Sequence, residues 1–476
     1  MADIWDLDGF LDHLEGNSYG RLYDIWSGEV SGVGFPSLAG AAGEWQRHFR
    51  KLNVESGMPV LIPMRIGLSS VGILLGALQY GLFPVLVKPT TPVNLMCEIV
   101  ENIGGGFLIA TSATTPVFLE RGYSALGDGF GDFHVLLAPA GYTPLEMHPP
   151  GLVGIPSSGS TGTPKVIIQP FSNLLRNASM HAAAVRLDAS DTVVLNLPLN
   201  YSYGLVAGLL ATLLVGAKGV LLDQQRVDIR RALDAFDATT CMGTPSNVLV
   251  NFPVDYLGKV KRLMVGGDVM RPRLASSLLD AMKDAEIFAT YGLTEAGPRV
   301  ATWRLEAERI LHYRAIPLGV PLANVRLSLG ENNRDGTCQE LLIDTPTVMH
   351  GYLGDEAGTR AVLERPGGTL RTGDMFEERD GLLFFAGRLK RVIVRGGENI
   401  YPAFVEGVVM RFPDIEDVWV TGEAHEGLGQ VPIAYLIARK LIDVRVLARE
   451  LRRYLPSSHI PTKWEQVRVF PVNIRK

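Results

Sequence analysis

The run Ser157-Ser158-Gly159-Ser160-Thr161-Gly162-Thr163-Pro164-Lys165 concentrates groups that bind anions. Gly159 and Gly162 admit positive φ, so successive N–H groups can turn into one concavity. The hydroxyls of Ser157, Ser158, Ser160, Thr161 and Thr163 add donors, and Lys165 adds a positive charge. The chemistry this suits is a cradle for phosphate oxygens. It is not a Walker loop, which needs G-x-x-x-x-G-K-[ST]. Ile155 before it and Val166-Ile167-Ile168 after it read as strands, so the loop joins two strands rather than opening a helix. A Ser/Gly loop alone is more often a plain connection, and its meaning depends on what accompanies it.

Four further segments accompany it. They are Tyr291-Gly292-Leu293-Thr294-Glu295-Ala296-Gly297, Arg371-Thr372-Gly373-Asp374, Gly387-Arg388-Leu389-Lys390 and Arg395-Gly396-Gly397-Glu398-Asn399-Ile400-Tyr401-Pro402. In this order the five resemble the adenylate-forming (ANL) superfamily of acyl-CoA synthetases, peptide-synthetase adenylation domains and luciferases. The Gly-Gly-Glu-Asn-Ile-Tyr-Pro form is most similar to the acyl-CoA synthetase and aryl-acid ligase branch. The motifs run from residue 154 to about 406.

The resemblance implies a carboxylate attacking the α-phosphorus of ATP, giving acyl-AMP and pyrophosphate, after which a thiol displaces AMP. It implies that the 157–165 loop holds the β- and γ-phosphates, that Thr294 contacts the α-phosphate and that Glu295 binds Mg2+. Mg2+ usually takes few protein oxygens alongside substrate phosphates. Asp374 is similar to the aspartate that accepts both ribose hydroxyls, a task that two carboxylate oxygens suit. Arg388 resembles the arginine near ribose and phosphates. Tyr291 is expected to stack on adenine, and Gly266-Gly267-Asp268, with Gly292, to line the adenine and acyl sites. Lys390 stands where the family hinges, and Gly396 and Gly397 would approach a pantetheine arm in the thiol step. The bland alternatives are a turn carboxylate for Glu295, a turn cap for Asp374, a surface ion pair for Arg388 and an ordinary turn for the glycines.

The pattern is departed from in three places. Val166 follows Pro-Lys where the family has Gly, which a strand tolerates. Asn200-Tyr201 replaces a pair that often reads Phe-His, and Tyr201 cannot supply the countercharge an α-ammonium needs. Tyr201 and Tyr203 are expected either to wall a flat or short acyl pocket or to pack as core, and the pocket is expected to include Gly204, Cys241, Thr244, Gly266, Gly267 and Gly292. The chain ends Phe470-Pro471-Val472-Asn473-Ile474-Arg475-Lys476, without the Gly of the family's terminal Gly-Lys pattern. Lys476 is the best match to the lysine that bridges the carboxylate and the α-phosphate.

These residues need a scaffold, and the apolar periodicity supplies one. Strands are expected at 60–63, 83–87, 133–137, 193–197, 219–222 and 262–265, with helices at 69–80, 229–236 and 275–283. Such alternation implies crossovers and parallel sheets. The expectation is an α/β fold: a large N-terminal domain, residues 1–389, with mostly parallel sheets flanked by helices, and a small mobile C-terminal α+β domain, residues 390–476. The latter shows strands at 415–420 and 432–438 and a helix at 444–454.

Composition sets outer limits. The 476 residues are 47% hydrophobic and 20% charged, as in ordinary globular chains. A net charge of -5 argues against a general nucleic-acid binder. Three cysteines far apart form no metal spacing and no disulfide framework. The acidic N-terminus does not read as a signal peptide, so none is expected. The charge-poor stretches 66–87 and 192–217 are broken by Pro and polar residues, so they read as buried elements rather than spans, and a cytoplasmic location is expected. The leading reading is therefore ATP- and Mg2+-dependent activation of an aryl or short- to medium-chain carboxylic acid, with coenzyme A or a carrier protein's phosphopantetheine as acceptor. A non-thiol acceptor (an amine, a hydroxyl or an inorganic nucleophile) is the second reading. A nucleotide- or acyl-binding homologue without turnover is the third.

Overall fold

The structure is a computed structural model that describes residues 4–26, 29–139, 147–156, 165–223, 227–252, 258–313, 315–332, 338–389, 393–395 and 398–470. Two large sheets carry most of the chain. The nine-stranded sheet is parallel at its centre, through Arg21–Trp26, Lys218–Leu222, Thr192–Leu195, Thr240–Gly243, Arg262–Gly266 and Glu286–Gly292. Its rims, Glu29–Gly34 on one side and Arg299–Arg304 with Val320–Pro321 on the other, pair antiparallel. The eight-stranded sheet follows the same plan: Pro59–Pro63, Phe83–Val87, Phe107–Thr111 and Leu152–Pro156 pair parallel, and the outer strands pair antiparallel. In these two sheets parallel pairing is thus confined to the centres. There crossover helices cover both faces, and the strands can be apolar throughout.

The charge-poor stretch from 66 to 87 is explained by this layering. Helix Leu68–Tyr80 is buried from Ser70 to Leu78, and strand Phe83–Val87 is buried at every position. A side chain at Gly76 would place its Cβ 2.4 Å from Trp45 Cβ and 2.7 Å from the Ala42 carbonyl, so glycine lets helix Phe35–Lys51 pack against it. The stretch from 192 to 217 becomes strand Thr192–Leu195, then a buried π-helix, Tyr203–Leu210, running into helix Ala211–Val215. The strand stops two residues before the expected end, because Asn196-Leu197-Pro198 turns away from the sheet. No helix among the described residues is long and apolar enough to cross a membrane.

A four-stranded antiparallel sheet, from Arg326–Asn332, Gln339–Asp344, Leu370–Arg379 and Leu382–Arg388, brings Asp374 opposite Arg388. The last sheet comprises Ile393–Arg395, Glu398–Ile400, Ile415–His425, Gly429–Ala438 and Lys463–Gln466. It packs with helices Pro402–Val409 and Val444–Leu451 on an apolar cluster of its own, drawn from residues between Ile393 and Trp464. The second helix ends at Leu451, short of the expected 454. Arg271 ion-pairs with Asp417, and Arg273 reaches Glu416 at 3.4 Å, linking this part to helix Pro272–Ala281 of the nine-stranded sheet.

Candidate active site

The site grows from the carboxyl end of one inner strand. Glu286–Gly292 runs parallel to Arg262–Gly266, then breaks register between Tyr291 and Gly292. Thr294–Ala296 forms a single 3-10 turn closed by Gly297 at φ 105°. A Cβ there would lie 2.6 Å from the Thr347 carbonyl, so this close return needs glycine. The chain then comes back as the antiparallel strand Arg299–Arg304.

Distant segments hold this turn. Gln169 Nε2, on strand Val166–Pro170, donates to the Thr294 carbonyl at 2.6 Å. The Ser202 and Thr294 hydroxyls are 2.7 Å apart. The Met349 amide donates to the Glu295 carbonyl at 2.8 Å. The Tyr352 hydroxyl donates to Glu295 Oε1 at 2.9 Å. Burial and the Glu295 carboxylate both push the Tyr352 phenol up, so it remains a donor. The Thr294 and Glu295 groups are therefore fixed before any ligand arrives.

Lys165 ends the phosphate-suited run. Its Nζ lies 2.5 Å from Asp355 Oδ2 and 4.8 Å from the centre of the Tyr352 ring. Strands Leu152–Pro156 and Val166–Pro170 pair antiparallel, with Pro156 opposite Val166, so the 157–165 segment closes a hairpin as the strand pattern implies. Ser157, Ser158, Gly159, Ser160, Thr161, Gly162 and Thr163 themselves lie outside the described residues, as do Lys390, Gly396, Gly397 and Lys476.

Asp374 is the most buried carboxylate of the group, 2% exposed. Its Oδ2 accepts from the Tyr291 hydroxyl at 2.7 Å, and its Oδ1 lies 2.9 Å from Arg388 Nε. Burial raises its pKa, which Arg388 and the Tyr291 hydrogen bond partly offset. Burial and the neighbouring carboxylate likewise hold the Tyr291 phenol protonated. Arg388, its side chain 64% exposed, covers Asp374 from the solvent side. The Tyr291 ring meets Phe376 edge-on, with centres 5.6 Å apart.

The small residues expected to line a pocket divide into two groups. Gly267, at φ 82°, is exposed, and a Cβ there would lie 3.4 Å from Thr244 Cγ2 and 3.7 Å from Tyr203 Cδ1. Asp268 is exposed beside it, and its carboxylate accepts from the Val269 amide. Thr244, half-buried, caps helix Pro245–Asn251 through the Asn247 amide. Tyr201 is 43% exposed, whereas Tyr203 is buried and donates to the Met264 carbonyl at 3.2 Å. Gly204 is buried, and a Cβ there would lie 2.5 Å from the Pro198 carbonyl, so its smallness serves backbone packing.

Cys241 corrects the expectation of a pocket residue. It alternates with Thr240 and Met242 on a central strand and faces an apolar cluster with Val194, Leu263 and Val265. It is fully buried, and desolvation pushes its thiol up to about 12. Sequence reasoning missed Gln169, Ser202, Tyr352 and Asp355, which contact the Thr294–Glu295 turn or Lys165. Each is a common residue type whose partner is far away in the chain, so no local signal distinguished it.

With the geometry in view, the chain can be compared with known proteins. A family model described as AMP-binding enzyme matches residues 38–353. A 2-succinylbenzoate–CoA ligase of Bacillus licheniformis is 31% identical over 327 residues, which is 67% of this chain and 66% of that protein. The chain therefore matches just under two thirds of that relative's length. ATP-bound MatB from Rhodopseudomonas palustris superposes with a TM-score of 0.81 at 18% identity, covering 99% of this chain and 96% of that one. The amide bond synthetase McbA from Marinactinospora thermotolerans superposes with a TM-score of 0.77 at 21% identity, covering 98% and 96%. At such identities the two structures show a common fold.

Proposed function

The chain belongs to the AMP-binding enzyme family, and from that premise we propose that it activates a carboxylic acid with ATP and Mg2+. The products are an acyl-AMP and pyrophosphate, and the acyl group then passes to a thiol of coenzyme A or a carrier protein. The acid is aryl or short- to medium-chain acyl. The observation that carries this reading is the convergence of Lys165, Thr294, Glu295, Asp374 and Arg388 around one strand end, through the contacts that Ser202, Tyr352 and Tyr291 make with them.

The chemistry asks mostly for positioning and charge clamping, since negative charge redistributes over phosphate oxygens as the carboxylate attacks the α-phosphorus and the bond to pyrophosphate breaks. Asp374 would accept from the ribose diol, using the lone pairs left free beside Tyr291 and Arg388. Arg388 would then turn its exposed guanidinium towards the phosphates. Thr294 would donate to the α-phosphate, and Lys165 would exchange Asp355 for phosphate oxygens. Glu295 offers one hard carboxylate, which fits a cation that keeps water and phosphate oxygens as its other ligands. When bound, Mg2+ would neutralise phosphate charge there. Lys476 would bridge the carboxylate and the α-phosphate. In this reading residues 1–389 form the adenylating domain, and residues 390–476 turn about Lys390 so that Gly396 and Gly397 reach the thiol.

The Tyr352–Glu295 hydrogen bond makes a separate prediction. Tyr352→Phe keeps the ring under Lys165 but frees the carboxylate. Loss of such an orienting partner typically costs 10- to 100-fold in metal affinity, so half-saturating Mg2+ is expected to rise about tenfold in pyrophosphate exchange. An unchanged Mg2+ requirement removes Tyr352 from that role.

The activity itself is tested by pyrophosphate release from ATP with aryl, short-chain, fatty and amino acids, with and without coenzyme A and Mg2+. One acid class should give Mg2+-dependent release, and coenzyme A should yield a thioester. Adenylate without thioester in the presence of either thiol acceptor would favour an amine or other non-thiol nucleophile, a reading supported by the likeness to an amide bond synthetase.

A further inference from the structure

Arg299 is a buried cation without a counter-ion. It is 3% exposed, and among the described residues no carboxylate pairs with it. Its Nη1 donates to Thr290 Oγ1 at 2.9 Å, its guanidinium lies 4.3 Å from the centre of the Tyr203 ring, and its Nε has no hydrogen-bond partner. The groups that act on it electrostatically are the neutral phenols Tyr203 and Tyr291. His181 stands nearby on helix Phe171–Ala184. Its ring nitrogens are unpartnered, and burial with Arg299 lowers its pKa to about 3, so it is neutral and offers no charge. Burying an ionised group without a partner is costly, and proteins normally pair such charges.

The location gives the charge a use. A Cβ built on Gly266 would lie 2.9 Å from Nη1, and one built on Gly292 would lie 2.9 Å from Nη2. The guanidinium therefore fills the space over the two glycines expected to line the acyl site. It shares that sheet face with Tyr203, which reaches Gly267. Packing does not require a charge there, since neighbouring positions on the same face are Met264 and Phe288. The backbone of Arg299 is already anchored by Asn177, whose Oδ1 accepts from its amide and whose Nδ2 donates to its carbonyl, both at 2.8 Å.

We propose that Arg299 determines specificity by pairing with a second, distal anionic group of the acid, so that the substrate is a dicarboxylate or an equivalent dianion such as a sulfonated carboxylate. This rests on the activation reading above and narrows its substrate class. One carboxylate reacts at the α-phosphorus while the other anion meets the guanidinium, whose fork matches two oxygens of a carboxylate or of a tetrahedral oxyanion.

The test is pyrophosphate exchange with matched pairs: linear dicarboxylates from malonate to adipate against monoacids of equal length, and benzenedicarboxylates against toluates. The wild-type protein should prefer one diacid over its monoacid partner at least tenfold in kcat/KM. Arg299→Met should lower that ratio about 10- to 100-fold, and Arg299→Lys should retain part of it, because it keeps the charge and loses the fork. Melting temperatures serve as the second readout. The preferred diacid should raise that of the wild type and not that of Arg299→Met, whose own melting temperature should match or exceed the wild type's once an uncompensated charge is gone. A wild-type preference for monoacids, or an Arg299→Met ratio equal to the wild type's, overturns the assignment to Arg299 alone. No exchange with any acid overturns the activation reading and the inference with it.

Discussion

Asp374→Ala is expected to lower pyrophosphate exchange by about 10²- to 10⁴-fold. Two hydrogen bonds from ribose hydroxyls to a carboxylate contribute about 1.5–3 kcal/mol each, and the variant also leaves Tyr291 and Arg388 without their common acceptor. The same residue sets a pH dependence. Burial raises its pKa above the ordinary 3.8, and only the ionised form accepts from both hydroxyls. ATP binding is therefore full above the raised pKa and weakens as pH falls through it, at a higher pH than an exposed aspartate would show. Stability of the ligand-free protein moves the other way. A raised folded pKa contributes stability that is present at low pH and is lost as pH rises through it. A KM for ATP that does not rise as pH falls towards the ordinary aspartate range, or an Asp374→Ala variant within a few-fold of wild type, removes Asp374 from the ribose role.

Gly292→Ala should be almost as damaging, for a reason unrelated to charge. The added Cβ would sit 1.8 Å from the Pro298 carbonyl oxygen and 2.9 Å from Arg299 Nη2. The first obstacle is backbone, fixed by the return of the chain into Arg299–Arg304, so no side-chain rotation relieves it. Overpacking of this kind costs about 1–3 kcal/mol or more. A displacement of about 1 Å at the Thr294–Glu295 turn is enough to cost roughly 10²-fold in rate. We expect a lower melting temperature together with a loss of exchange above 10²-fold. Gly407→Ala is the control: it lies within helix Pro402–Val409 with nothing within 4 Å of its added Cβ, and should stabilise by roughly 0.5–1 kcal/mol. Wild-type exchange in Gly292→Ala would show that the turn tolerates the shift.

The α/β class, fewer than half of the strands and the hairpin around 157–165 were legible in the chain because each depends on residues close in sequence. Strand Phe83–Val87 is a run of apolar residues, and glycines at 81 and 216 end the helical segments before them in the left-handed conformation. The residues proposed to carry the chemistry, Lys165, Thr294, Glu295, Asp374 and Arg388, each sit in a short motif of distinctive composition, which is why the sequence singles them out. Element ends were less so. The Thr192–Leu195 strand stops early although Asn196 and Leu197 stay buried, and the Val444–Leu451 helix stops where Arg452, Arg453 and Tyr454 are exposed.

Side-chain environment was beyond local reading. Cys241 is sealed in an apolar cluster, and Arg299 is a buried cation beside two glycines with no carboxylate paired to it among the described residues; neither environment is written in the local sequence. Tyr352 and Gln169 are far from Glu295 and Thr294 in sequence and touch them in space. The order of motifs and the alternation of elements are readable along the chain, because both follow from short-range periodicity and residue type. Which face each strand residue turns to, which oxygens already have donors and which charge lacks a counter-ion among the described residues follow from the fold. Those depend on strand order across the sheet and on crossovers that bring residues over a hundred positions apart within hydrogen-bond distance.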